Sequence, residues 1–130
     1  IEDSIEGIFH AVEEAALTMQ RGGGVGLDFS TLRPRGAEGR RAGTIASGPV
    51  SFMEIFDTTC AVLLSTSPRR GAMIATLRCD HPDIERFIRA KATGTALSNF
   101  NVSVQISQAF LEAVRKDEPW ELVIWVDGPE

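Results

Sequence analysis

Arginine is where this sequence concentrates its capacity for chemistry. Arg33, Arg35, Arg40 and Arg41 lie in one glycine-rich stretch, and Arg69 and Arg70 stand together in a second. A guanidinium fork matches two phosphate oxygens at once, and glycines let backbone approach such an anion closely. Across residues 29–79, seven arginines face three acids, a local balance of +4, although the whole 130-residue chain carries −5. Two descriptions fit that pattern. It is either a pair of solvated surface loops, or a phosphate-binding loop working with a second, coupled one.

Other chemistries fail on spacing. The glycines of 22–26 lack the GxGxxG pattern and precede a strand instead of opening a helix, and no Gly-x4-Gly-Lys-Ser/Thr loop occurs. His10 and His81 are far apart in the sequence, and Cys79-Asp80-His81 lacks the paired spacing of a structural zinc site. His81 before Pro82 reads as a helix-start residue, and Cys79 as a small buried hydrophobe. No Gly-x-Ser-x-Gly elbow or hydrolase triad can be assembled.

Composition narrows the class further. Hydrophobic residues at 43% and charged residues at 24% are globular values, and the length suits one domain. A net charge of −5 argues against a generic nucleic-acid or anionic-membrane binder. Apolar runs such as Cys60 to Leu64 reach only five residues, far below the roughly 20 of a membrane span. Two cysteines without a CxxC pair make no disulfide framework, which points to the cytoplasm. The chain opens at Ile1, already inside a helical pattern, and reads as a piece of something longer.

The arginine loops need elements to hold them. Ile5, Ile8, Phe9, Val12, Ala15, Ala16 and Met19 predict an amphipathic helix over 4–20, ended by Gly22-Gly23-Gly24. Val25–Phe29 follows as a short strand, and 30–48 as a loop without periodicity. Pro49 opens a second amphipathic helix to Leu64, and a second loop leads into an apolar strand over 72–77. His81-Pro82 opens a third helix through Lys91, with Ile84, Phe87 and Ile88 on one face. A strand over 101–106, a helix over 108–116 and a last strand over 121–126 complete the pattern. Alternating helices and strands predict an α/β fold with a parallel sheet.

The wording of several blocks carries a family resemblance. Ile-Glu-Asp-Ser-Ile-Glu-Gly-Ile8, Gly-Gly-Gly-Val-Gly-Leu-Asp-Phe-Ser-Thr-Leu-Arg-Pro-Arg-Gly36, Ala-Ser-Gly-Pro-Val-Ser-Phe-Met53 and Arg-Arg-Gly-Ala-Met73 occur in that order. His-Pro-Asp-Ile84 and Asn-Phe-Asn-Val-Ser-Val104 follow. Together they resemble the large catalytic chain of ribonucleotide reductases over nearly the whole sequence. Arg-Arg-Gly-Ala-Met and Leu-Arg-Cys-Asp-His-Pro-Asp-Ile look most like the adenosylcobalamin-dependent, class II branch.

The resemblance implies a single partial domain, one segment of a ten-stranded α/β barrel. Helices 4–20 and 49–64 would lie at a homodimer interface. Loop 30–48 would bind the specificity effector, a deoxynucleoside triphosphate (dNTP), with Asp3 on its ribose hydroxyl. Arg33 and Arg40 would meet its triphosphate, with Arg41 beside them and Gln20 in the same pocket. Loop 65–72, with Arg69, Arg70, Gly71 and Ala72, would relay effector identity to the ribonucleotide substrate, near which Gly23 and Gly24 would lie. Here Thr66-Ser67-Pro68 replaces the Gly-Gly pair common in relatives, and proline restricts a loop that must switch.

The implied chemistry is radical reduction of the ribose 2′ carbon, with adenosylcobalamin as radical source and a thioredoxin-type dithiol as reductant. The substrate phosphorylation state, di- or triphosphate, stays open. The reducing and thiyl cysteines would fall outside 1–130, the latter in an Asn-Pro-Cys-Gly-Glu type segment downstream. Cys60 and Cys79 match neither, so the segment alone is expected to be inert. The alternative is a stand-alone, non-catalytic nucleotide-binding or dimerisation module. No nucleic-acid or membrane partner is expected.

Overall fold

The computed structural model describes residues 1–39, 43–65, 73–92, 94 and 96–124. Helix α1 (Ile5–Gln20) begins at Ser4, whose Oγ accepts the Gly7 N–H at 3.0 Å. It ends in a Schellman turn: Gly22 N–H donates to Met19 O and Gly23 N–H to Thr18 O, both at 2.9 Å. Gly22 takes φ +86°, the left-handed value that this turn requires. Strand β1 (Val25–Asp28) follows at once.

Helix α2 (Pro49–Leu64) starts as the proline predicts, with Gly48 ahead of it at φ +87°. Strands β2 (Met73–Arg78) and β3 (Phe100–Gln105) complete a sheet in the order β1-β2-β3, parallel throughout. Register pairs Val25 with Met73 and Met73 with Phe100. Residues in register share a face. One face therefore carries Val25, Leu27, Met73, Ala75, Leu77, Phe100, Val102 and Val104, and it belongs to the core or packs against it. The other carries Gly26, Asp28, Ile74, Thr76, Arg78, Asn101, Ser103 and Gln105, mainly polar with Ile74 half exposed among them.

The core lies between the apolar face and the helices. Phe29 is its centre: fully buried, it meets Phe56 and Phe100 edge to face at centroid distances of 5.5 and 6.2 Å. Ile8, Ala15 and Met19 of α1 and Met53, Phe56 and Cys60 of α2 face inward. Asp57 holds the turn before β3 by accepting the Asn99 N–H at 2.9 Å.

Three expectations need correction. Helix α3 covers only Ile84–Arg89, because His81-Pro82-Asp83 is a turn and the first helical bond runs from Phe87 N to Asp83 O. Proline disfavours helical geometry at the residue before it, so His81 cannot open the helix. Ile84 and Phe87 are buried as expected, but Ile88 is 56% exposed. Helix α4 (Gln108–Lys116) matches its expected span, capped by Ser107, yet no strand forms over 121–124. Val123 N–H donates to Asp80 O at 2.7 Å, and Trp120 Nε1 to Cys79 O at 3.1 Å. Both contacts lie past the end of β2, so the tail is tied to the turn instead of joining the sheet. Residues 125 and 126 of that expected strand lie outside the described residues.

The described parts of loop 30–48 are more ordered than its lack of periodicity implied. Gly36 N–H donates to Ala46 O and Ala46 N–H to Ala37 O, while Gly39 N–H donates to Thr44 O. With the Glu38–Ile45 bridge, these bonds make a two-armed finger, Gly36–Gly39 against Gly43–Ala46. Gly43 adopts φ +81°. Short arms bonded mainly through backbone leave no hydrophobic period to read.

The Phe29 cluster yields a direct test. Phe29→Ala should lower unfolding free energy by about 3–5 kcal/mol in urea denaturation, the range for emptying a packed aromatic site.

Candidate nucleotide-binding site

Parallel pairing places the ends of β1 and β2 on one edge of the sheet, so the residues after each strand become neighbours. Ser30, just past β1, accepts the Arg78 N–H on Oγ at 2.8 Å, and its carbonyl accepts from Arg78 Nη1 at 3.2 Å. Further along, Leu32 O accepts from His81 Nε2 at 2.7 Å, and Asp83 Oδ2 accepts the Arg35 N–H at 2.9 Å. Asp83 N–H donates to His81 Nδ1 at 3.0 Å, which puts the ring hydrogen on Nε2.

The start of α1 reaches the same place. Arg33 Nε donates to Asp3 Oδ2 at 2.9 Å, its backbone N–H to Asp3 Oδ1 at 3.3 Å, and Nη1 to Glu38 O at 2.7 Å. The side chains of the pair are about a quarter exposed. Thr31 Oγ1 also donates to Ile1 O. Asp3, Arg33 and the finger thus form one assembly at the N-terminal end of α1.

The other expected residues are distributed differently. Gln20 is exposed at the far end of α1, a helix about 24 Å long at 1.5 Å per residue. Gly23 and Gly24 are exposed beside the start of β1, at the opposite sheet edge from Asp3. Gly23 also has a capping task, and a Cβ there would come within 2.8 Å of Thr18 Cγ2. Arg40 and Arg41, between the arms of the finger in sequence, lie outside the described residues, as do Arg69, Arg70, Gly71 and Ala72. Sequence reasoning missed Asp83, Ser30 and the carbonyl of Glu38. His81 was weighed only as a metal ligand or helix start; its partner Leu32 O is backbone and leaves no mark in sequence.

On the polar sheet face, Gln105 Nε2 donates to Thr76 Oγ1 at 2.9 Å, and Asp28 Oδ1 accepts the Ser30 N–H at 3.0 Å. Burial pushes the Asp28 carboxyl up. Hydrogen bonds from Ser30, Gln105 and Thr76 outweigh it and hold the group below its ordinary 3.8. Burial, then the nearby Asp57 charge, pushes the Cys60 thiol up, so it stays protonated and unreactive. Cys79 is buried as well, with Sγ 3.8 Å from Ser107 Oγ.

A groove of about 390 Å³ opens between the start of α2 and α3, with Arg35, Arg86 and Arg89 opposed by Glu54, Asp83 and Glu85. Its charges balance. Among the described residues no group of three His, Cys, Asp or Glu side chains could hold a metal, and no helix is long and apolar enough to cross a membrane. The groove is too small for a corrin with its nucleotide arm, and both cysteines are packed away. Neither this groove nor the two cysteines make a cobalamin site.

A three-stranded parallel sheet alternating with helices is the architecture of a segment of an α/β barrel. The family description "Ribonucleotide reductase, barrel domain" matches residues 1–128, and the chain belongs to that family. It is 44% identical over 95% of its length to a vitamin B12-dependent ribonucleoside-diphosphate reductase of Mycobacterium tuberculosis, covering 18% of that protein. It is 43% identical to one of Thermoplasma acidophilum, again over 95% of the chain and 16% of the relative. The alpha subunit of the class Id ribonucleotide reductase of Actinobacillus ureae shares the fold, with a TM-score of 0.78 at 24% identity. That match covers 92% of this chain and 21% of the subunit. The chain therefore spans less than a fifth of the curated relatives named here.

The Asp28 network sets an acid response. A carboxyl depressed in the folded state contributes stability that is complete above its unfolded pKa, about 4, and is lost as pH falls through its folded value. Urea midpoints should fall between pH 5 and pH 3, and Asp28→Asn should flatten that fall. An identical acid slope in the variant would remove Asp28 from the account.

Proposed function

We propose that this chain is the effector-binding segment of a vitamin B12-dependent ribonucleotide reductase, an oxidoreductase that forms deoxyribonucleotides. The observation that carries the reading is the joining of Asp3, Arg33 and the finger into one assembly. A carboxylate accepts from a ribose hydroxyl, and clustered guanidinium groups bind a triphosphate in forks. Arg40 and Arg41 are the further cations of that set, and 65–72 the loop relaying effector identity to a ribonucleotide substrate. Gly23 and Gly24 border that substrate. Adenosylcobalamin and the reacting cysteines belong to the rest of the polypeptide, so the segment by itself binds nucleotide and does not turn over. The enzyme works in the cytoplasm in deoxyribonucleotide supply for DNA replication.

The same reading supplies a homodimer. Ile5, Phe9 and Leu17 of α1 are 57%, 49% and 46% exposed, and Val62 and Leu63 of α2 are exposed as well. Large apolar side chains along two adjacent helices suit a second copy. An antiparallel two-fold pairing of α1 would carry Gln20 of the partner subunit toward Asp3, giving that residue its place in the pocket.

Calorimetry with dTTP and dATP on the full-length protein tests the assignment. Asp3→Ala and Arg40→Ala should each weaken binding about tenfold, the scale of one charge-assisted contact. Unchanged affinity in both would sink the site. A stand-alone module would bind dNTP with no reductase activity in the complete gene product.

A further inference from the structure

Ser30, His81 and Asp83 are the buried polar side chains among the described residues. All three bridge the same two segments, the stretch after β1 and the end of β2 with its turn. A polar group taken out of water must find a partner, and these find theirs on the finger's root. Asp83 is the most telling. It stands at the N-cap of α3, where an aspartate ordinarily accepts from the first turn of its own helix, yet it makes no such bond. Its carboxylate goes instead to Arg35 N–H, on the near side of the finger.

The far side arrives at the same atom. A Cβ added at Gly48 would collide with Asp83 Oδ2 and come within 2.8 Å of Arg35 N. Arg35 and Gly48 therefore meet at Asp83, which closes the segment between them into a loop with a pinched neck. His81 completes the neck: Nδ1 fixes the Asp83 backbone, and Nε2–H holds Leu32 O. From that neck, Arg33 is placed against Asp3 and Glu38, and the arms 36–39 and 43–46 pair through backbone.

We propose that Asp83, steadied by His81, is the positioning residue of the loop after β1, fixing the neck from which Arg33 and the described arms, 36–39 and 43–46, meet a nucleoside triphosphate. The inference rests on the effector-binding reading above. Asp83 touches no ligand in this scheme; it acts through Arg35 and Gly48. A root left loose would have to be ordered when the ligand binds, and that cost appears as lost affinity.

The test uses the full-length reductase carrying this segment, with dTTP as probe. Asp83→Ala should raise the dTTP dissociation constant about tenfold, measured by calorimetry well below the melting temperature of every variant. Asp83→Asn, which still accepts the Arg35 N–H, should stay within about threefold of wild type. Hydrogen exchange should quicken over 35–39 and 43–46 in Asp83→Ala but not over 73–78 in β2. Where Asp83→Ala fails to accumulate folded, Asp83→Ser, too short to reach Arg35 N, carries the same expectation. Wild-type affinity and exchange in the disruptive variant would overturn the inference, as would equal loss in Asp83→Asn and Asp83→Ala. Failure of the wild-type protein to bind dTTP would instead overturn the effector reading.

Discussion

Parallel strand pairing is the constraint on which everything else here depends. Strands that run the same way cannot be joined by a tight hairpin, so each must be returned to the starting edge by a crossover. The crossover from β1 to β2 contains the finger and α2, and the one from β2 to β3 contains the His81–Asp83 turn and α3. Because all three strands end at one edge, the finger's root and that turn emerge side by side. Their contact is a consequence of topology, and the buried side chains of Ser30, His81 and Asp83 convert it into a fixed geometry.

The two arginine loops are separated in sequence by α2. The first follows β1, whereas Arg69 and Arg70 of the second lie outside the described residues. Helix α2 and strand β2 contribute to one core. The core packs both tightly: Met53, Phe56 and Cys60 of α2 and Met73, Ala75 and Leu77 of β2 are buried in one cluster. A dense interior passes displacements on instead of absorbing them.

The sheet's two faces describe the chain's place in a larger barrel. Parallel sheets are ordinarily covered on both sides. Here the apolar face is covered by the chain's own helices. The face bearing Asp28, Thr76, Ser103 and Gln105 is mainly polar apart from the half-exposed Ile74, in character with one segment of a larger barrel. That match in character agrees with family membership and with the small share of each relative that the chain spans.

Much of this was legible in the residues themselves. Apolar period, Ser4, Gly22 and Pro49 place α1 and α2 within a residue of their observed ends, because helix capping is local chemistry. Alternation on β3 and the span of α4 are local too. The order of motifs was enough to identify the family. What the sequence could not contain is contact with backbone. The finger's arms, the Leu32 carbonyl held by His81 and the Arg35 amide held by Asp83 involve main-chain atoms that every residue possesses, so no residue type announces them. The 121–124 stretch looked like a strand because its apolar side chains suit one. Only the folded chain, with its tail tied past the end of β2, decides otherwise. Local preference is written residue by residue; which distant segments share an edge is settled when the parallel sheet forms.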